Sequence, residues 1–156
     1  MSVADLDAAL GSAECVLLDS SAFIAFHNPH ERAHALAEHL LGRIATGSDP
    51  LRGVYSFVSA IELLIRPIRS GPDRFTFMHT FLTQFPHLTG LPVDMIVAVQ
   101  AANLRATTGL AVPDSVVIAC GLLTGCDAII TNDGRWKRRG ETLFRQFTWI
   151  YLEDYC

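Results

Sequence analysis

Asp19, Glu62, Asp114 and Asp133 are the residues of this chain best suited by type and spacing to do chemistry. Asp19 ends the apolar run CVLLD (15–19), and Glu62 lies within FVSAIELLIRPI. Asp114 follows Pro113, and Asp133 lies in TNDG directly behind DAIIT (127–131). Singly, each has an ordinary structural role: a helix cap for Asp114, a turn beside Gly134 for Asp133, a helix start for Asp19, an i+4 partner of Arg66 for Glu62. Four acids at equivalent places in one alternating pattern are not what independent cap and turn preferences produce. Carboxylates about 5 Å apart repel by about 3 kcal/mol per neighbouring pair at an effective dielectric of about 20. Such a cluster requires cations or raised pKa values. Hard divalent ions, Mg2+ or Mn2+, suit oxygen ligands, and two of them can stabilise both the attacking and the leaving oxygen of a phosphodiester displacement.

The elements that would position these acids follow from periodicity and punctuation. Short apolar runs at 15–19, 54–56, 87–91 (HLTGL), 127–131 and the FTWIYL segment predict buried strands. Residues 30–46 place Ala33, Leu36, Ala37, Leu40, Leu41 and Ile44 on one helical face. Further helices are predicted in FVSAIELLIRPI up to Pro67, over 73–84, over 94–108 ending at Gly109, and from Pro113 to Gly125. Near-continuous apolar strands alternating with helices imply an α/β fold whose mainly parallel sheet of four to five strands is covered on both faces. Sites in such folds lie at the carboxyl ends of the strands, where all four acids fall.

The 156 residues are one domain's worth, and half are hydrophobic. We expect a single domain over 14–156, preceded by an extension (1–13) with a short helix at DLDAALGS. Cys15, Cys120, Cys126 and Cys156 show no CxxC pairing, which reads as a reduced, cytoplasmic protein, and no apolar run is long enough for a membrane span. A net charge of −4 argues against a protein that coats nucleic acid by bulk electrostatics. Yet eleven of the twelve basic residues are arginines, and Arg135, Lys137, Arg138 and Arg139 cluster directly behind Asp133. That run reads either as a solvated face or as backbone-phosphate contacts, with Trp136 as core packing or as a platform for an unpaired base.

The stretches VLLDSSAFIAF (16–26), SFVSAIELL (56–64) and LRATTGLAVPDSVVIACGLLTGCDAIITNDGRW (104–136) resemble the PIN-domain nucleases, most closely the VapC-like toxins. The resemblance implies a three-layer α/β/α fold and a Mg2+- or Mn2+-dependent ribonuclease that leaves a 5′-phosphate and a 3′-hydroxyl. It also implies a homodimer and, for the toxin branch, a small antitoxin protein as partner beside the RNA substrate. By position it makes Asp19, Glu62, Asp114 and Asp133 the metal-holding acids. Ser20 or Ser21, together with Thr131, match the small hydroxyl residues of the same pocket, and all three are candidates for substrate contact.

Two other readings compete. A PIN-like protein could keep its acidic cluster and act mainly as a regulated binding partner. Separately, His30-Glu31-Arg32-Ala33-His34 satisfies HExxH, the spacing that sets two imidazoles on one helical face in zinc metalloproteases.

Overall fold

The computed structural model describes residues 2–47 and 50–156, apart from the side chains of Arg138 and Arg139. The five apolar runs become strands β1 (Cys15–Leu18), β2 (Arg52–Ser56), β3 (Leu88–Leu91), β4 (Ala128–Thr131) and β5 (Thr148–Tyr151). All pair in parallel, in the order β3-β2-β1-β4-β5, with Val16 opposite both Gly53 and Ala128. The strand order reverses between β1 and β4, which opens a crevice beyond their carboxyl ends.

Side chains alternate across the sheet and feed a core on each face. Val16, Leu18, Ile130 and Ile150 meet helices α1 (Val3–Leu10), α2 (Ser20–His27) and α3 (His34–Thr46) through Leu6, Phe23, Leu40 and Ile44. Helix α5 (Pro72–Gln84) joins this layer through Met78 and Leu82. Leu17, Val54 and Ile129 face the other way, onto Val117 and Ile118 of α7 (Val112–Leu123) and Val97 and Ala101 of α6 (Met95–Thr108). Helix α4 (Phe57–Ser70) serves both layers, with Leu63 in the first and Val58 against the second. Helix α8 (Gly134–Leu143) packs beside β5, and a short 3-10 turn (Leu152–Tyr155) ends the chain. The expected three-layer α/β/α architecture is present.

Two helix boundaries differ most from the sequence reading. Helix α4 runs through Pro67 to Ser70, because the lost proline N–H falls in a mostly exposed last turn where Ser70 Oγ donates to the Arg66 carbonyl at 2.9 Å. Helix α3 starts only at His34, since residues 29–33 are spent in turns after Asn28. Helices α2 and α8 are not among the helices read from periodicity, and α2 begins directly after Asp19, for which a helix start is one ordinary role. No single helix among the described residues is long and apolar enough to cross a membrane.

The N-terminal segment is tied to the first layer. Leu6 and Leu10 are buried, and Asp7 Oδ1 meets Arg43 Nη1 at 2.8 Å and His39 Nε2 at 2.9 Å. Burial pushes the Asp7 carboxyl up, but the hydrogen bonds from His39 and Arg43 outweigh it and leave the carboxyl below its ordinary 3.8. A carboxylate lowered in this way adds stability above its unfolded pKa and loses it as pH falls through the folded one. Asp7→Asn should therefore reduce stability at neutral pH by under about 1 kcal/mol, the pair being partly exposed. In thermal melts that difference from the parent should vanish in acid below the carboxylate range.

Candidate active site

All four predicted acids reach the carboxyl edge of the sheet, and one cavity of about 390 Å³ is lined by Asp19, Glu62, Asp114 and Asp133. Asp19 follows β1 and is the N-cap residue of α2; Asp133 follows β4 and caps α8, its side chain accepting from the Arg135 N–H at 2.9 Å. Asp114 lies in the first turn of α7, where the helix dipole favours an anion, and Glu62 stands in α4 above β2. The Glu62–Arg66 pairing is replaced: Glu62 Oε2 accepts from Ser20 Oγ at 2.5 Å.

The hydroxyl residues hold carboxylates. Asp19 is 7% exposed, and its Oδ2 accepts from Ser21 Oγ at 2.8 Å and Thr131 Oγ1 at 3.1 Å. Ser21 Oγ in turn accepts from the Asn132 N–H at 2.7 Å, and Thr131 Oγ1 from the Asp133 N–H at 3.0 Å. This mesh locks the β4–α8 loop onto α2. Asn132, which the sequence reading passed over, also lines the cavity, and its side chain is fixed to Glu153 at 3.3 Å. Its only signal in the sequence is its place in TNDG at the strand's end.

Charge is distributed unevenly around the cavity. Arg135 spans Asp133 with Nη2 2.5 Å from Oδ2 and Nε 3.1 Å from Oδ1, and holds that carboxyl below its ordinary range. Burial pushes Asp114 up, and the charges of Asp19 and Asp133 add to it, against lowering by the Trp136 indole N–H and Arg135. Trp136 is buried, edge-on to Trp149 with centroids 5.8 Å apart, so its ring is a wall of the cavity beside Asp114, not an exposed platform for a base. Lys137 turns to Asp154 and lies over the Tyr151 ring, away from the acids, whereas the Arg135 side chain is exposed at the cavity mouth. Arg138 belongs to α8, but its side chain lies outside the described residues.

Trp136→Phe would remove the indole N–H, whose influence on the neighbouring Asp114 favours its charged form. The acidic limb of any pH–rate profile carried by Asp114 should then move to higher pH. A limb unmoved in that variant would deny Trp136 its positioning role.

The HExxH spacing dissolves in three dimensions. His30 sits in a turn, while His34 opens α3 with Nδ1 3.0 Å from the Ala25 carbonyl, so the two imidazoles do not share a helical face. This overturns the metalloprotease reading. Among the described residues, no three His, Cys, Asp or Glu side chains converge as a set that could hold a metal ion. The four acids thus share a cavity rather than a preformed cage. Their donor chemistry nevertheless fits a hard cation: all are carboxylates, and buried Asp19 meets only hydroxyl donors.

The PIN domain family matches residues 16–141. No curated protein sequence matches. Among solved structures, a toxin–antitoxin complex from Klebsiella pneumoniae superposes with a TM-score of 0.65 at 14% identity, covering 88% of this chain and 97% of the other. A sarcin–ricin-loop-cleaving VapC toxin of Mycobacterium tuberculosis gives 0.61 at 20% identity, covering 80% and 95%. A VapBC-1 structure from Haemophilus influenzae gives 0.61 at 16%, covering 89% and 98%. At these identities the likeness establishes the fold.

Proposed function

Since this chain belongs to the PIN-domain family, we propose that it is a divalent-metal-dependent endoribonuclease and the toxin of a toxin–antitoxin pair. The observation that carries this reading is the cavity at the sheet's switch point, walled by Asp19, Glu62, Asp114 and Asp133. Mg2+ or Mn2+ would be held by Asp19, Asp114 and Glu62, with Asp133 joining when Arg135 moves off it. When bound, such an ion supplies Lewis-acid stabilisation of the phosphoryl oxygens and eases deprotonation of the attacking water. The chain's own residues do the rest. Ser21 and Thr131 fix the Asp19 carboxylate, Ser20 fixes that of Glu62, and Trp136 walls the cavity beside Asp114 and favours its charged form. Exposed Arg135 is placed to trade its carboxylate for a phosphate, for which its planar fork is suited.

Hydrolysis by water with the 3′-oxygen as leaving group, which the family resemblance implies, gives fragments with a 5′-phosphate and a 3′-hydroxyl. Attack by the ribose 2′-hydroxyl would leave a 2′,3′-cyclic phosphate instead. Labelling of product ends decides between them, and a cyclic phosphate contradicts the proposal.

Two partners accompany this reading, and the toxin–antitoxin complexes among the structural neighbours support the first. An antitoxin that closes an acidic cavity does so best with an Arg or Lys on a flexible arm beside Asp19 and Asp114. The second partner is another copy of the chain. Phe57, Ile61, Ile65 and Ile68 form an exposed stripe on α4, and Met95, Ile96 and Val99 are exposed on α6. So much unpaired apolar surface is unusual for a monomer. Replacing Ile61 and Ile65 together with Asp should turn a dimer into a monomer in light scattering, with little loss of fold because neither side chain is buried.

A further inference from the structure

Cys15 and Cys126 stand 111 positions apart in sequence, yet their Sγ atoms lie 3.2 Å apart. Cys15 opens β1, and Cys126 sits in the loop before β4, at the strand edge opposite the acids. The backbone around them is pinned. Asp127 Oδ2 accepts from the Glu14 and Cys15 N–H groups at 2.9 and 3.0 Å, the Asp127 N–H donates to the Cys15 carbonyl at 2.9 Å, and the Cys126 N–H donates to Gly121 at 3.0 Å. Thr124 Oγ1 touches the Cys126 sulfur at 3.3 Å. Neither thiol has a role in the cavity, and both are buried.

We propose that Cys15 and Cys126 form a redox-modification site at which a small hydroperoxide converts the two thiols into an intramolecular disulfide. The Cys15 sulfur attacks the distal peroxide oxygen, which leaves a sulfenic acid on Cys15 and, for hydrogen peroxide, releases water once protonated. The Cys126 sulfur then displaces the sulfenic oxygen as a second water, so two thiols and one peroxide give one disulfide and two waters. Both thiol protons leave in the waters, and the peroxide is the species reduced. Polarity favours this order. The hydrogen bond from Cys126 lowers the Cys15 thiol to about 7, with the Arg52 charge assisting against burial, while Cys126 is pushed up. Thiolate, the attacking form, is therefore available at Cys15 near neutral pH.

The consequence is a latch on the fold, not a block on the cavity. Strand β1 separates Cys15 from the acid edge by roughly 13 Å at about 3.3 Å per residue. Closing so long a loop should raise Tm by roughly 5–15 °C.

The test treats the purified chain with hydrogen peroxide, alkylates free thiols and maps the peptides. The expected result is a Cys15–Cys126 cross-link with loss of two hydrogens in mass, the higher Tm, and reversal by dithiothreitol. Cys156→Ser should keep the cross-link, and Cys15→Ser and Cys126→Ser should each lose it. Exposed Cys156 serves as the control that oxidant was present. Both thiols still alkylatable after Cys156 has reacted, or Cys15 carried on to sulfinic acid, would overturn the proposal. So would a Cys15 disulfide to any other cysteine.

Discussion

Asp114→Asn should abolish RNA cleavage, by about 100-fold or more, while leaving the metal-free protein as stable as the parent or more stable. The substitution keeps shape but removes one like charge from a cavity where burial, Asp19 and Asp133 already hold the Asp114 carboxyl above its ordinary range. The sign follows from proton linkage. A carboxyl whose pKa is raised on folding costs stability once pH climbs past its unfolded value, and the cost is complete above the folded one. In metal-free buffer the parent should therefore lose stability relative to the variant as pH rises out of the carboxylate range. Repulsion of about 3 kcal/mol per close pair at an effective dielectric of about 20 is an upper bound before relaxation and solvent. Adding Mg2+ or Mn2+ should raise the parent's Tm through ligand linkage and raise the variant's much less. Asp114 does not cap α7, whose N-cap is Ala111, so loss of a cap cannot imitate this result.

Asp19→Asn should be as damaging to cleavage, for a reason visible in its hydrogen bonds. One carboxylate oxygen is committed to Ser21 and Thr131. An asparagine can keep both bonds on its carbonyl oxygen and present an NH2 where a cation expects an anion. The fold should survive with a Tm near the parent's, and cleavage should fall by about 100-fold or more. Asp133→Asn provides the graded comparison. Asp133 is paired with Arg135 and caps α8, a task Asn performs nearly as well, so its loss should be the mildest of the three. A kinetic series in which Asp133→Asn is the most damaging variant would contradict this ordering.

The sheet and its acidic edge were legible because both depend on local pattern. Strand-length apolar runs alternating with helical periodicity imply parallel pairing, and an acid just behind such a run lands on the carboxyl edge whatever the loop details. Helix α2 was hidden because SSAFIAFH is apolar on nearly every side, with Phe23 buried and Ile24 exposed, so no stripe marks it. Helix α8 was hidden for the opposite reason. GRWKRRGETL is mostly polar, and its packing depends on Trp136 against Trp149 and on Gly140, where a Cβ would come within 2.6 Å of the Trp149 ring. HExxH was a pattern without a helix, because residues 29–33 turn before α3 begins. The contacts that tune the site lay beyond any spacing rule: Ser20 with Glu62, Trp136 with Asp114 and Arg135 across Asp133 are tertiary or rotameric facts.

The most direct test of the cation-dependent nuclease is metal add-back. Purified chain stripped with chelator is offered single-stranded RNA, then Mg2+ or Mn2+ is restored stepwise, in parallel with Asp19→Asn and Asp114→Asn. The parent should be silent without the ion and recover cleavage with it, and both variants should stay silent at concentrations that saturate the parent. Cleavage by the stripped parent, or equal recovery in the Asn variants, would contradict the assignment of these carboxylates to a divalent cation.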